Sequence, residues 1–320
     1  MEILMVRPFQ FYFNQQTAAN NFFQSNINIE NANELAIAEF DTMVEKLRAH
    51  QIKVSVIQDT QSPSTPDSIF PNNWVSTHAG GTLCLYPMYA ENRRAERKSS
   101  VIEFLQSNYK IENVLDITQF EKEGKFLEGT GSMVLDHQNK IAYGCLSERL
   151  NKEAFVYWCD KMQFKPISFK AEDDKAQPIY HTNVMMCMGD QFVVICLESI
   201  PNEAEKQMLL ASFLLTHKEV IDISQDQLNH FAGNMLQVFD SAEKPHLIMS
   251  EQAYKSLKEE QVKSLEKYNP LLPISIPTIE AIGGGSTRCM MAEIHLINKK
   301  INNTALLAKL YCNSLINYTL

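Results

Sequence analysis

The chain of 320 residues is long enough for one large domain or two closely joined ones, and a content of 45% hydrophobic and 21% charged residues is typical of a globular protein. Its net charge of −9 argues against a nucleic-acid-binding surface, and no apolar run approaches the roughly 20 residues that cross a bilayer. The seven cysteines include no CxxC pair, which is typical of free thiols rather than of disulfides or a zinc site. We therefore expect a cytoplasmic protein.

Helices and short strands alternate in the first half of the chain. Asn31–His50 has apolar residues at helical spacing and predicts an amphipathic helix, which the strand Ile52–Ile57 follows directly. The strand Gly81–Tyr86 leads into a helix over about Arg93–Asn108, and a further helix is predicted over about Asn151–Met162. Three strands lie between these two helices: Val114–Ile117, Ser132–Asp136 and Lys140–Gly144.

The second half repeats this alternation. Asn183–Met188 and Phe192–Leu197 flank the turn signal Gly189-Asp190 and predict a hairpin. Two helices and two strands follow it: Pro201–His217, Glu251–Lys267, Val220–Ile223 and Met235–Phe239. A unit of two or three short strands and one helix thus recurs about five times, which predicts an α/β fold made of repeated units.

The most distinctive motif is Gly283–Cys289, in which three consecutive glycines precede a cysteine. Glycine tolerates positive φ and lets the backbone approach a ligand closely, so the thiol could lie among backbone N–H donors that favour the nucleophilic thiolate. The same pattern is typical of a plain glycine turn before a buried cysteine. The motif alone leaves both interpretations open.

A nucleophilic thiol needs a base and an orienting acid. His181 stands at the start of a predicted strand, where α/β sites collect functional residues, and His78 and His230 lie near glycines. Asp67 and Glu128 adjoin apolar residues, although a turn cap or a loop acid would look the same. The remaining histidines are typical of surfaces and turns: His50, His137, His217, His246 and His295.

Six segments occur in an order that resembles the pentein superfamily of arginine deiminases, dimethylarginine dimethylaminohydrolases and amidinotransferases: Pro66–Trp74, Leu127–Gly129, Glu128–Ser132, His181–Asn183, His230–Leu236 and Gly283–Cys289. Together they look most like the branch of citrulline hydrolases, or arginine-deiminase-related (CtlX-type) proteins. For residues 1–297 the resemblance implies a single catalytic domain, a five-bladed α/β propeller of ββαβ-type units. We expect residues 298–320 to form a helical extension of unknown role.

The resemblance also implies roles for individual residues. Cys289 matches the nucleophile, His181 the general acid/base, and Glu128 the acid that orients the histidine and favours its protonated form. Backbone donors of the glycine loop would help to hold the oxygen charge that develops during attack. Asp67 matches a substrate-binding aspartate. The resemblance implies no metal and no organic cofactor.

Amides stand where the relatives that act on guanidines have acids. Asn72 and Asn73 replace two acids of a motif similar to PDSxFxED, Asn183 replaces the aspartate of an HxD pair, and Glu128–Gly131 reads EGTG in place of EGGD. A guanidinium prefers carboxylates, whereas an amide, which both donates and accepts, satisfies a neutral ureido group. These positions favour citrulline over arginine, with hydrolysis to ornithine, ammonia and carbon dioxide through a covalent thiol intermediate.

An amino-acid substrate carries an α-carboxylate, which arginine binds well. Arg149, and Arg93 or Arg94, resemble the carboxylate-binding positions of the family. Surface ion pairs would explain Arg93 and Arg94 equally well, so Arg149 is the stronger candidate, and Arg94 is kept as a second.

Other functions remain open. An amidinotransferase or an arginine- or dimethylarginine-type deiminase would share Cys289, His181 and Glu128 but should keep acids for the guanidinium. A non-catalytic pentein used for binding would lack the cysteine and the histidine, and a cysteine hydrolase of another fold would use His230 as its base. The predicted partner is a small amino-acid substrate, with no nucleic acid and no membrane, and a homodimer is compatible with these features.

Overall fold

The protein, in a computed structural model that describes residues 1–27 and 29–299, contains five separate three-stranded sheets. Its strands are three to six residues long, and such short strands need neighbours to be stable. The strands are β1 (Glu2–Arg7), β2 (Lys53–Gln58), β3 (Val75–His78), β4 (Thr82–Leu85), β5 (Asn113–Asp116), β6 (Val134–Asp136), β7 (Ile141–Cys145), β8 (Lys165–Phe169), β9 (Met186–Met188), β10 (Phe192–Ile195), β11 (Glu219–Asp222), β12 (Leu236–Phe239), β13 (Pro245–Ser250), β14 (Leu271–Ile274) and β15 (Ala292–Ile294).

Helices connect the strands. Within the two described ranges, none of them is both long and apolar enough to cross a membrane. The helices are α1 (Ala32–Ala49), α2 (Glu91–Arg94), α3 (Ser99–Asn108), α4 (Gly129–Ser132), α5 (Lys152–Met162), α6 (Thr182–Met185), α7 (Glu203–Leu215), α8 (Gln225–Asn229), α9 (Glu251–Ser256), α10 (Glu259–Glu266) and α11 (Pro277–Gly283). Short 3₁₀ turns cover Pro71–Asn73, Thr118–Glu123, Leu197–Ser199 and Thr287–Met290.

Four sheets share one connectivity. A first strand pairs antiparallel with the next strand, and one or two helices then lead to a third strand that runs parallel to the second. The middle strand of each sheet has a neighbour on both sides and is covered by the helical crossover, and β7 and β10 are accordingly buried along their whole length. This is the predicted ββαβ unit.

The two ends of the described chain complete the fifth sheet. The last strand, β15, pairs antiparallel with β1, and β1 pairs parallel with β2 after the helix α1. The first strands of different sheets also contact one another, β3 with β15 and β9 with both β6 and β12. Five ββαβ units, whose first strands contact one another in this way, confirm the predicted α/β fold class.

Each connecting helix covers its unit with an apolar stripe. In α1, Phe40, Met43 and Leu47 recur at helical spacing and are fully buried, as the sequence pattern predicted. Each such side chain contributes about 1.5–3 kcal/mol relative to an exposed one. Packing against the sheets, rather than intrinsic helix propensity, therefore holds α1 in place.

Three predicted elements differ in the structure. The helix predicted over Arg93–Asn108 is broken between α2 and α3, where Arg97 turns back to bind the carboxylate of Glu121 and the carbonyl of Tyr86. The helix predicted over Glu251–Lys267 is divided into α9 and α10. The strand predicted from Asn183 begins only at Met186, because α6 precedes it. A local pattern does not reveal such breaks, since distant partners impose them.

The predicted helical extension, residues 298–320, falls outside the described residues except for its first two positions. It stays a prediction.

A short turn stands directly before each first strand, at the same end of every sheet. These five segments are Pro71–Asn73, Gly129–Ser132, Thr182–Met185, Phe231–Met235 and Thr287–Met290. Several of these segments contact one another: Pro71–Asn73 contacts Gly129–Ser132 and Thr287–Met290, and Gly129–Ser132 contacts Thr182–Met185.

Candidate active site

Five of the predicted site residues meet at this end of the first strands, around a small cavity of about 10 Å³. Its lining includes Asp67, Asn73, Arg149, His181 and Cys289. A cavity of this volume holds about one water molecule, so the lining side chains must move apart to admit a larger ligand. Residues far apart in sequence converge because each repeated unit delivers its segment to the same place.

Glu128 is fully buried and holds His181. Its Oε2 lies 2.8 Å from Nε2 of His181 and 3.5 Å from Nη1 of Arg149, and its Oε1 accepts the N–H of Tyr89 at 3.0 Å. Burial alone would raise the pKa of Glu128, but the charge of Arg149 and the hydrogen bond with His181 outweigh it and lower the pKa to about 2. The carboxylate is therefore ionised and can only accept hydrogen bonds.

It follows that Nε2 of His181 carries a proton. Burial lowers the pKa of His181 to about 4, although Glu128 opposes this shift. We predicted that Glu128 would favour the protonated imidazole; its effect has that sign, but burial exceeds it. The resting histidine is neutral, and its Nδ1 is an acceptor. Within the described residues no hydrogen bond occupies Nδ1, which suits a general base.

Gly131 fixes the other edge of this imidazole. A Cβ added at Gly131 would lie 2.9 Å from Nδ1 and Cε1 of His181 and closer still to Nδ2 of Asn73. Any side chain there would push the ring or the amide out of position. The last glycine of EGTG is therefore required by close packing.

Two amide groups face the sulfur of Cys289. Nδ2 of Asn183 lies 3.5 Å from Sγ, and Nδ2 of Asn234 lies 3.4 Å from it. The orientation of Asn234 is fixed, because its Oδ1 accepts the backbone N–H of Arg288 at 3.0 Å. Both amide groups can donate hydrogen bonds to the sulfur when it carries negative charge.

Sequence reasoning did not identify Asn234 as a site residue. The residue lies in the segment His230–Leu236, which contributed only to the resemblance. Its position in the repeat could have identified it. Asn234 stands two residues before β12, and Cys289 stands three residues before β15, so both lie in the short segment that precedes a first strand. Because the units repeat, the segment before β12 is also expected to reach the site.

Asp67 retains an unused hydrogen-bond acceptor. Its Oδ2 accepts from Nδ2 of Asn14 at 2.8 Å and from Oγ1 of Thr17 at 3.2 Å, and Nε of Arg93 lies 3.7 Å away. Its Oδ1 is buried and has no partner among the described residues. Burial raises the pKa of Asp67, against the charge of Arg93 and these hydrogen bonds. A ligand N–H would satisfy Oδ1.

The side-chain amides of Asn72, Asn73 and Asn183 differ in how many of their polar atoms have hydrogen-bond partners. Asn73 lines the cavity, and its Oδ1 accepts from Nη1 of Arg93 at 2.7 Å. Its Nδ2 donates to Oδ1 of Asn72 at 3.0 Å, so Asn72 lies behind it and is fully buried. In the described part of the chain, Nδ2 of Asn72 and Oδ1 of Asn183 are buried without partners. Unmet polar atoms of this kind mark a place where a polar ligand would bind.

Of the three candidate arginines, Arg149 and Arg93 line the cavity and Arg94 does not. Arg149 lines the cavity, but its Nη2 donates to the carbonyl of Thr17 and to Asn20, and its guanidinium lies 4.9 Å from the centre of the Tyr180 ring. Arg93 also lines the cavity and is buried. Arg94 lies outside this lining.

Arg94 lies instead at the edge of the protein. Its Nε donates to the carbonyl of Met88 at 3.1 Å and lies 3.5 Å from Glu121. Arg93 and Arg94 diverge because consecutive helical residues point about 100° apart. The inward-facing member of the pair is Arg93, whereas we had kept Arg94 as the candidate.

The glycine loop is held mainly by its carbonyl groups. Gly284 has a φ of 62°, and its carbonyl accepts from Nδ2 of Asn21 and from the hydroxyl of Tyr180. Its N–H donates to the carbonyl of Glu280 at 3.0 Å and is not free for a substrate oxygen. A Cβ at Gly284 would overlap Gln24 and Asn21. The glycines thus allow close packing beside the cysteine, and the N–H of Gly284 does not serve the predicted oxyanion role.

The sequence matches a known family, described as N,N dimethylarginine dimethylhydrolase, eukaryotic, over residues 7–296. No curated protein matches it.

Solved structures of several enzymes share the fold. An arginine dihydrolase of the ornithine–ammonia cycle in Cyanobacteria, ArgZ, matches with a TM-score of 0.73 and 15% identity over 93% of this chain and 41% of ArgZ. The present chain therefore corresponds to about two fifths of that protein. The separate N-terminal domain of ArgZ, bound to its substrate, gives a TM-score of 0.69 and 15% identity over 92% of this chain and 99% of the domain.

A dimethylarginine dimethylaminohydrolase in an adduct with S-methyl-L-thiocitrulline gives a TM-score of 0.62 and 13% identity, over 91% of this chain and 98% of that one. At such low identities the similarity shows a shared fold.

Proposed function

Because the chain belongs to the N,N-dimethylarginine dimethylhydrolase family of the pentein superfamily, we propose that it is a cysteine-dependent hydrolase that cleaves a C–N bond in the guanidino or ureido group of a small amino acid. One observation carries the proposal. The thiol of Cys289 faces two amide donors and lines the same cavity as a neutral His181, whose Nε2 is held by an ionised Glu128. This is the nucleophile, base and orienting acid that covalent catalysis needs.

The reaction would proceed in two steps. Sγ of Cys289 attacks the central carbon, and Nδ1 of His181 takes the thiol proton and passes it to the departing amine. Water activated by the same nitrogen then attacks the thiol-bound carbon and releases the thiolate. With citrulline, ammonia leaves first, and the carbamate released next loses carbon dioxide to give ornithine.

The developing charges have partners nearby. The amide groups of Asn183 and Asn234 reach the attacking sulfur. When His181 gains its proton, it becomes a cation against the carboxylate of Glu128, which is most strongly stabilising in a buried site. Catalysis therefore benefits from a histidine that is neutral at rest and charged only during the reaction.

Substrate choice depends on the amides. A ureido group presents N–H donors and one carbonyl, which Oδ1 of Asn183 and amide N–H groups can match without a buried net charge. We favour citrulline as the substrate for this reason. The unpaired oxygen of Asp67 supports the alternative, arginine or a methylated arginine, because a carboxylate would pair with a guanidinium. An amidinotransferase would share these residues and differ only in replacing water by an amine.

We also favour a single catalytic domain over residues 1–297. The pairing of β15 with β1 supports it, since the fifth sheet forms only when both ends of this range are present. A truncation within either strand should unfold the whole protein.

The test is a parallel assay of citrulline, arginine and asymmetric dimethylarginine, with ornithine, citrulline, ammonia and dimethylamine measured as products. We expect ornithine and ammonia from citrulline, and no product from Cys289→Ser. Faster turnover of arginine would refute the ureido preference but keep the hydrolase. Products that persist in Cys289→Ser would refute the mechanism.

A further inference from the structure

The opposite end of the first strands carries a second group of polar side chains. His78 is the last residue of β3, His137 follows β6 directly, and His295 follows β15 directly. The ring centres of His137 and His295 are 4.7 Å apart, and those of His78 and His137 are 6.2 Å apart. The geometry that gathers the Cys289 site at one end of these strands thus gathers imidazoles at the other.

Three of these side chains are close enough to share one ion. His137, Glu293 and His295 each offer a ligand atom, and the three atoms lie within 4.8 Å of one another. Nε2 of His295 lies 3.6 Å from Oε1 of Glu293, too far for a hydrogen bond. Among the described residues this buried nitrogen has no hydrogen-bond partner. An unmet buried polar atom costs about 1–3 kcal/mol and needs an explanation.

We propose that His137, Glu293 and His295 form a binding site for a divalent transition-metal ion of the Zn²⁺ class. Two imidazoles and one carboxylate are a ligand set that zinc accepts, and they suit such metals better than Ca²⁺ or Mg²⁺. The three side chains also line a surface cavity, through which an ion can enter and where water can complete its coordination.

Neighbouring groups hold the ligands in place. Nη2 of Arg288 donates to Oε2 of Glu293 at 3.2 Å, which leaves Oε1 to face the histidines. The backbone N–H of His295 donates to Oγ1 of Thr77 at 2.8 Å. Asp136 accepts the N–H of Asn139 and so closes the turn that carries His137. Outer contacts of this kind orient metal ligands and strengthen binding.

Two cations near the site, Arg288 and Lys218, are already paired, so they oppose an ion less than free charges would. Arg288 binds Glu293 and the carbonyl of Met291. Lys218 lies 3.3 Å from Asp136 and donates to the carbonyls of Gly189 and Asp190. Glu293 itself supplies one negative charge to the ion.

The ion would join two of the repeated units. His137 belongs to the sheet of β6–β8, and Glu293 and His295 belong to the sheet that β15 forms with β1 and β2. Since β15 begins three residues after Cys289, the ion would also anchor the strand that supports the nucleophile. Binding to the folded state alone should raise the thermal midpoint.

The test measures Zn²⁺ binding to the metal-stripped full chain by competition with a chromophoric chelator. Because a thiolate also binds Zn²⁺, the titration is run in the wild type and in Cys289→Ser. We expect one ion in both proteins, and a dissociation constant at least about 100-fold weaker after His295→Ala or His137→Ala, since even an outer-shell partner is worth 10- to 100-fold. His217→Asn, which removes an exposed imidazole elsewhere, should bind like the wild type.

Co²⁺ provides a second readout. A site of nitrogen and oxygen ligands gives a visible spectrum without a sulfur-to-metal charge-transfer band, whereas a site at Cys289 gives that band. Should an alanine variant fail to fold by circular dichroism, Glu293→Gln replaces it with little change in shape. No bound ion in the wild type, or one that follows Cys289 and ignores His137, His295 and Glu293, overturns the proposal.

Discussion

The two ends of the first strands use the same residue types in opposite ways. At the Cys289 end, His181 has one nitrogen fixed by the fully buried Glu128 and the other free for a proton. At the far end, His295 and Glu293 face each other at 3.6 Å without a hydrogen bond, next to a second imidazole. A histidine whose one nitrogen is held by a hydrogen bond can transfer a proton at the other. Two imidazoles beside a carboxylate to which they are not hydrogen-bonded can instead bind a metal ion.

Loss of the nucleophile should separate the two ends most clearly. Cys289→Ser is expected to lower the turnover rate on the order of 10⁴-fold or more, because a serine hydroxyl is a far weaker nucleophile than a thiolate. Zn²⁺ binding at the far end should not change. The checks are steady-state kinetics and the metal titration on one preparation, and loss of both properties would show that the ends are not independent.

Matched substitutions of Glu128 and Glu293 should show the next largest difference between the two ends. Glu128→Gln keeps the shape but leaves Arg149 and the reacting His181 without their counter-charge, so we expect the turnover rate to fall about 10²- to 10⁴-fold. Glu293→Gln should leave it within about threefold, because this residue contacts neither Cys289 nor His181, and should weaken Zn²⁺. Equal losses of activity in the two variants would contradict the division of roles.

Removal of one donor to the sulfur should have a smaller effect. Asn234→Ala deletes the N–H that lies 3.4 Å from Sγ, and a hydrogen bond to a charged group is worth about 1.5–3 kcal/mol, so we expect a loss of about 10- to 100-fold. The rate of iodoacetamide alkylation at Cys289 should also fall, because the sulfur loses a hydrogen-bond donor. An unchanged alkylation rate would remove Asn234 from the site.

The pH dependence should report His181. Since its pKa is lowered to about 4 by burial, kcat/KM should hold down to about pH 4 and fall about tenfold per pH unit below it, rather than decline from pH 6.5. An acid limb near pH 6.5 that disappears on Glu128→Gln would contradict the neutral resting state.

The free energy of unfolding should also depend on pH, because the pKa values of His181 and Glu128 are shifted in the folded protein. Between pH 6.5 and about 4 the unfolded chain binds the His181 proton and the folded chain does not, so the free energy of unfolding falls as the pH drops. Between pH 4.5 and about 2 the same holds for Glu128, whose stabilising contribution is present above pH 4.5. Urea unfolding across this range measures both changes, and stability that rose on acidification would contradict the pKa assignments.

The smallest effect should come from Arg94. Arg94→Ala removes only contacts at the edge of the protein, so activity should stay within about twofold. Arg93→Ala, its matched partner, leaves Asp67 and Glu96 without a buried cation and should raise KM and lower the thermal midpoint. A larger loss of activity from Arg94 would restore the original prediction.

Sequence patterns predicted the parts of the protein that are locally encoded. The unit of strands and a helix, the apolar stripe of α1 and the hairpin at Gly189 all follow from periodicity and turn residues. Cys289, His181 and Glu128 stand in motifs whose order along the chain resembles that of the pentein superfamily. Asn234 was missed because a single asparagine before a strand has no distinctive pattern. Its role depends on the sulfur of another unit.

Long-range geometry accounts for the rest. The choice between Arg93 and Arg94 depends on the phase of α2, which contacts with distant residues fix. His137 and His295 resemble surface histidines because nothing in the sequence shows that β6 and β15 end at the same place. Burial, which lowers the pKa of His181 against the pull of Glu128, is likewise a property of the folded chain.

The covalent intermediate tests the central claim most directly. Citrulline is mixed with the enzyme, the reaction is stopped with acid within one turnover, and the intact protein and its peptides are weighed by mass spectrometry. We predict an added mass equal to citrulline less ammonia, carried by the peptide that contains Cys289 and absent from Cys289→Ser. Turnover of citrulline without any adduct, or with an adduct on another cysteine, would contradict the account.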